Sequence, residues 1–196
     1  MARSRRAVLQ ATVPLSPRRK WVAITAATLA FVPAYWAVLA GIVSSASSST
    51  AAPDPGASLA LGLALIPFVF IVLAFASGHP RAPGAVVKAM LLALLVGIPV
   101  SALAGDAITG IVAGVSAGGA AALRLEANLS WRARAVAVAV ATVYTFVLIR
   151  VGGDVIVLGA PVLPFTALGL ADHIVERRRE RSGTGSTEEE GAWPRS

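Results

Sequence analysis

GDAITGIVAGVSAGGAAALR, residues 105–124, places glycine at 110, 114 and 118, with Asp106 and Ala122 continuing the four-residue series. Residues four apart share one face of an α-helix, so Gly110, Gly114 and Gly118 form a ridge without side chains. From 107 to 123 the stretch contains no charged residue. In lipid, where burying an apolar side chain against another helix gains little over leaving it among acyl chains, small residues hold helices together by letting backbones approach. The stretch therefore reads as a membrane helix whose ridge packs within its own bundle, against a second copy of the chain or against another membrane protein.

The rest of the chain reads as the bundle around that helix. It is 56% hydrophobic and only 14% charged over 196 residues, which excludes an ordinary soluble domain. Six apolar segments stand out, at 21–43, 57–77, 86–104, 107–123, 135–149 and 155–171. A span needs about 17 to 25 residues. The first three qualify directly, the fourth and sixth are marginal, and the fifth reaches membrane thickness only if Arg134 and Arg150 extend outward from its two ends.

Charge placement selects the topology. With six alternating spans, every basic residue except Arg150 falls on one side, and Asp54, Asp106 and Asp154 fall on the other. By the positive-inside rule the basic side is cytoplasmic. The expected fold is thus all-α, a polytopic transmembrane bundle of six spans with both termini cytoplasmic. Residues 1–20 form a basic arm, 21–173 the bundle, and 174–196 a tail that begins as a basic helix and becomes a disordered Gly/Ser/Thr and glutamate-rich segment. The expected location is the cytoplasmic (inner) membrane. The arginine-, alanine- and valine-rich usage resembles that of a bacterium with a GC-rich genome.

The basic termini suit anionic lipid headgroups, each cation near the surface contributing roughly 1 kcal/mol. Nucleic acid is not an expected partner, because the basic groups flank spans and do not gather on one folded surface. Ser4-Arg5-Arg6-Ala7-Val8-Leu9 resembles the core of a twin-arginine export signal, yet Pro17-Arg18-Arg19-Lys20 interrupts the apolar stretch that such a signal requires. The next run, 21–43, is longer than a signal core and reads as a retained span.

Three constellations bear on chemistry. Gly114-Val115-Ser116-Ala117-Gly118 matches the GxSxG of a hydrolase nucleophile elbow, but no strand precedes it. It also resembles in part the rhomboid intramembrane proteases, which have six core spans, a Gly-x-Ser-Gly on the fourth and a histidine on the sixth. The chain departs from that pattern: Ala117 follows the serine, the second span has neither histidine nor asparagine, and His173 lies too deep to meet Ser116. The depth mismatch is roughly 14 Å at ~1.5 Å per residue. Ser116 is therefore expected to be a small packing residue.

The aspartates Asp54, Asp106 and Asp154 are expected to cap helix starts, with Arg150 placed to pair with Asp154 four residues on. His79, His173 and Asp172 sit at cytoplasmic ends without a spacing that requires zinc. There is no cysteine, and no acid or base stands at mid-depth in a span. The expectation is a non-enzymatic membrane component with no cofactor, no metal and no catalytic residue, whose distinctive residues are the helix-packing Gly110, Gly114 and Gly118. A small oligomeric channel or transporter is the alternative, and an intramembrane serine protease is weaker still.

Overall fold

The computed structural model describes residues 16–47, 54–79, 81–122 and 131–184, and every regular element among them is helical. In chain order the helices are α1 (Pro17–Ala46), α2 (Pro55–Ser77), α3 (Ala82–Ala104), α4 (Ala107–Ala122), α5 (Trp131–Gly159) and α6 (Leu163–Thr184), with a 3₁₀ turn at Ala160–Val162. Five stretches are long and apolar enough to cross a membrane: Arg18–Ala46, Pro55–Ser77, Ala82–Ala104, Trp131–Gly153 and Val155–Ile174. This is the makeup of a multi-pass membrane protein. The disorder expected at the end of the tail, and the basic arm before residue 16, lie outside the described residues.

Local chemistry explains where the helices begin and end. Ser16 caps α1 by accepting from the Arg19 N–H, and Pro17 takes the first helical position, where a missing N–H costs nothing. The helix consequently starts before the apolar run does, and Arg18, Arg19 and Lys20 occupy its first turn. Asp54 caps α2 through the Gly56 N–H at 3.0 Å, and Asp106 caps α4 through the Thr109 N–H at 2.6 Å. The Thr109 hydroxyl donates to the other oxygen of Asp106 at 2.8 Å. Two of the three aspartates thus act as the capping residues expected of them; the side chain of Asp154 lies outside the described residues.

The two Gly-Asp turns share a backbone feature. Gly105 has φ of 75° and Gly153 has φ of 54°, conformations that a side chain would strain. Gly105 closes α3 in the left-handed region, and Gly153 breaks α5. The break places Trp131–Gly153 and Val155–Ile174 as separate candidate spans. Here the structure corrects the expectation that the fifth segment is the shortest: its helix starts at Trp131, so Arg132 and Arg134 lie within the helix and do not precede it. The short element is α4, whose 16 residues extend about 24 Å against a hydrocarbon core of about 30 Å.

That shortness goes with position. Every residue from Val112 to Ala120 is buried, and α4 touches α3, α5 and α6, with Phe70 of α2 also reaching it. A helix enclosed by other helices does not need to match the lipid thickness along its own length. At one end of the bundle, Lys20 of α1 pairs with Asp172 of α6 at 2.9 Å, and Arg19 Nε donates to the Ala76 carbonyl near the end of α2 at 3.4 Å. The start of the first helix, the end of the second and the late part of the last therefore lie together.

Prolines shape the remaining contacts. Pro33, Pro67 and Pro99 each sit inside a continuous helix. Pro161 lacks the N–H that would bond the Val157 carbonyl four residues earlier. The Tyr35 hydroxyl donates to that carbonyl at 2.6 Å, and Tyr35 is buried with Phe31, whose ring lies 6.2 Å from Phe165. A polar atom released by a proline in the last span is thus satisfied from the first.

Candidate functional site

The glycine ridge of α4 lies against α3 of the same chain. A methyl group placed on Gly110 would come within 2.6 Å of the Gly97 carbonyl oxygen and 2.5 Å of Ser101 Cβ. One on Gly114 would land on the Ala93 carbonyl and within 3.1 Å of Gly97 Cα, and one on Gly118 within 2.5 Å of the Ala89 carbonyl oxygen. The opposing residues, Ala89, Ala93, Gly97 and Ser101, are themselves small and spaced every four residues. The two ridges run antiparallel across the two-residue Gly105-Asp106 connection, backbone against backbone.

This complementary ridge was present in the sequence and unread there. Its signal is the same four-residue spacing of small residues, weaker only because alanine and serine stand where α4 has glycine. A second close approach, between α1 and α2, also escaped the reading. A methyl on Gly62 would meet the Val38 nitrogen at 2.7 Å and the Ala34 carbonyl oxygen at 2.8 Å, and one on Gly41 would meet the Leu59 nitrogen at 2.9 Å. The bundle thus contains two tightly packed helical hairpins, α1–α2 and α3–α4.

Ser116 lies on a different face of α4. Its hydroxyl is buried, within 2.7 Å of the Val112 carbonyl and 2.8 Å of the Thr145 hydroxyl of α5. Thr145 in turn reaches the Ala141 carbonyl at 2.9 Å. The two hydroxyls carry two protons, so one donates across the pair and the other to its own helix, and neither is held by an imidazole that would activate it as a nucleophile. The rhomboid-like arrangement is therefore not assembled around Ser116. Thr145, which turns the serine into an interhelical contact, is 29 residues away in sequence.

These two hydroxyl contacts carry an expected contrast. Ser116→Ala should cost about 0.6 kcal/mol, the average for a hydrogen bond between membrane helices, because Thr145 keeps its bond to Ala141. Tyr35→Phe should cost more, about 1–2 kcal/mol, since it deprives the Val157 carbonyl of the donor that replaces the one lost to Pro161. Thermal unfolding of both variants in mild detergent compares them; equal loss would show that the Tyr35 bond does not serve the proline break.

Among the described residues no three metal-binding side chains gather. Asp172, adjacent to His173 in sequence, is bound to Lys20. His79 follows the left-handed cap at Gly78, and its Nδ1 accepts from the Arg81 N–H at 3.1 Å. Burial lowers its pKa below the usual 6.5, and the charges of Arg134, Lys88 and Arg81 lower it further against the opposing effect of that hydrogen bond. A lowered histidine pKa contributes stability that is present above the ordinary value and is lost as pH falls through the lowered one. Arg150, the lone basic residue at the opposite end among the described residues, donates to the Ala104 carbonyl at the close of α3 at 3.4 Å. A cation at a helix C-terminus meets carbonyls without helical partners; the expected pairing with Asp154 falls on a side chain outside the described residues.

Two apolar grooves open on the outside of the bundle. One of about 360 Å³ lies between α2, α3 and α4, lined by Leu63, Met90, Leu94, Ile98 and Ile111 among others; another of about 410 Å³ lies between α1 and α6 beside Trp21 and Phe165. Neither is lined by a charged side chain. The hydroxyls of Thr28 and Thr166 at the second groove are bonded to the Ile24 and Leu163 carbonyls of their own helices.

No protein-family model, curated protein or solved structure matches the chain.

Proposed function

We propose that the chain is a non-enzymatic component of the cytoplasmic membrane, a six-span bundle with both termini inside, whose central α4 serves close helix packing within the bundle. What carries this reading is the enclosure of α4: its buried stretch from Val112 to Ala120 holds a single polar side chain, Ser116, and that hydroxyl is satisfied by Val112 and Thr145. A conduit through one copy would need polar groups turned toward a wet path. The glycine ridge, one of whose expected uses is to join two copies, is occupied by α3 of the same chain. Partners would then meet the outer surfaces, and the basic ends would rest on anionic headgroups.

Reconstituted in vesicles, the chain should leave proton and potassium leak at the level of protein-free vesicles. Leak rising with protein content would favour the oligomeric channel and overturn the reading. Topology is tested separately by single cysteines at exposed positions. Those replacing Ser47 and Ala107 should react with an impermeant thiol reagent applied outside intact cells, and those replacing Gly84 and Arg177 should not; labelling at Gly84 from outside would invalidate the six-span arrangement.

A further inference from the structure

We propose that the α2–α3 turn, together with the starts of α3 and α5, is a docking site for the phosphate of an anionic lipid headgroup. Three cations from three elements act on His79: Arg81 of the turn, Lys88 of α3 and Arg134 of α5. A fourth, Arg19 of α1, brings its guanidinium against Gly78. Among the described residues the one ion pair is Lys20–Asp172, so no described carboxylate neutralises Arg81, Lys88 or Arg134. The Nε of Arg134 is buried and finds no acceptor.

Like charges gathered without a counter-charge repel one another, and a bound anion reverses the sign of that energy. Because His79 Nδ1 accepts the Arg81 N–H, the neutral imidazole carries its proton on Nε2 and offers a donor. α3 and α5 both begin at this end with no acidic residue in their first turns, leaving positive helix ends that favour an anion.

Depth selects the source. The cluster follows the end of the Pro55–Ser77 span and meets the start of the Ala82–Ala104 span, where the hydrocarbon gives way to headgroups. A lipid presents its phosphate at that level at high local concentration, whereas a free phosphate arrives from dilute solution. The inference rests on these helices being membrane spans, and not on which leaflet the basic end faces.

The test uses the full chain in maltoside micelles, titrated with dioleoylphosphatidylglycerol, with dioleoylphosphatidylcholine or with inorganic phosphate. Thermal midpoint and the NMR titration of His79 are the readouts. Phosphatidylglycerol should raise both the midpoint and the His79 pKa, since a nearby anion favours the imidazolium. Phosphatidylcholine and inorganic phosphate should do neither. Lys88→Gln and Arg134→Gln should each weaken phosphatidylglycerol binding about fivefold, as expected for one cation at a charged membrane surface. The charge-matched Arg18→Gln and Arg177→Gln, at exposed positions, should stay within about twofold of wild type.

Equal loss in the matched pair would mean diffuse attraction and would overturn the site. An equal gain with inorganic phosphate would overturn the lipid as its source. A His79 titration unmoved by phosphatidylglycerol in the wild-type chain would overturn the site without depending on any variant. Leak measurements on vesicles are unaffected by any of these results, so failure here and failure of the structural reading are distinguishable.

Discussion

Gly114→Ile should remove most of the folded protein in mild detergent, while Ile111→Leu and Val115→Ile, one residue type changed on neighbouring faces, leave it close to wild type. The first carbon of any side chain at position 114 lands on the Ala93 carbonyl and near Gly97 Cα, both of them backbone. Backbone cannot rotate aside as a side chain can, so α3 must move as a whole. Overpacking costs roughly 1–3 kcal/mol at a single site, and here the displacement also loosens the contacts at Gly110 and Gly118. Ile111 and Val115 border the groove between α2, α3 and α4, which gives their side chains room to rearrange.

An internal control lies on the same helix. A methyl on Gly118 would press on the Ala89 carbonyl, whereas one on Gly119 meets nothing within 4 Å. Gly119→Ala should therefore stabilise by up to about 1 kcal/mol through helix propensity, and Gly118→Ala should destabilise despite the same gain. Thermal unfolding of the series decides the matter. If Gly114→Ile melts like wild type, or Gly118→Ala and Gly119→Ala behave alike, the glycine spacing reflects composition and the packing role assigned to α4 is wrong.

The second large effect is expected at the other hairpin. Gly62→Val places branched carbons where the Val38 nitrogen and the Ala34 carbonyl already stand within 3 Å of a single methyl. The α1–α2 pair must open, and α1 carries Tyr35 and Phe31, which tie it to the segment around Val157 and Phe165. Loss should thus exceed about 2 kcal/mol, from overpacking together with weakened aromatic and hydroxyl contacts. Gly84→Val, at an exposed position with open space, is the matched control. Folded yield after heating, read by size-exclusion chromatography, would show the difference; similar survival of the two variants would mean that α1 and α2 are not held by close approach at Gly62.

Much of the architecture was legible because membrane helices announce themselves locally. Long apolar runs and the aspartates at 54 and 106 each constrain only a few neighbouring residues. Hydropathy alone misplaces the boundary of the fifth helix. A charged residue ends an apolar run but not a helix, and Arg132 and Arg134 continue α5 without breaking its backbone bonds.

By itself, the sequence determined that this is a chain of apolar helices, that one of them bears a face of glycine, and that basic residues gather near particular ends. Only the tertiary structure decided that α3, and no second copy, fills that glycine face; that Thr145 meets Ser116; that Tyr35 supplies the donor Pro161 removes; and that the charges of Arg81, Lys88 and Arg134 all bear on one histidine. The physical reason is common to all four. Helix formation satisfies backbone groups within a few residues, whereas close packing, interhelical hydrogen bonds and charge clusters depend on which helices become neighbours, a choice made among segments up to 152 residues apart.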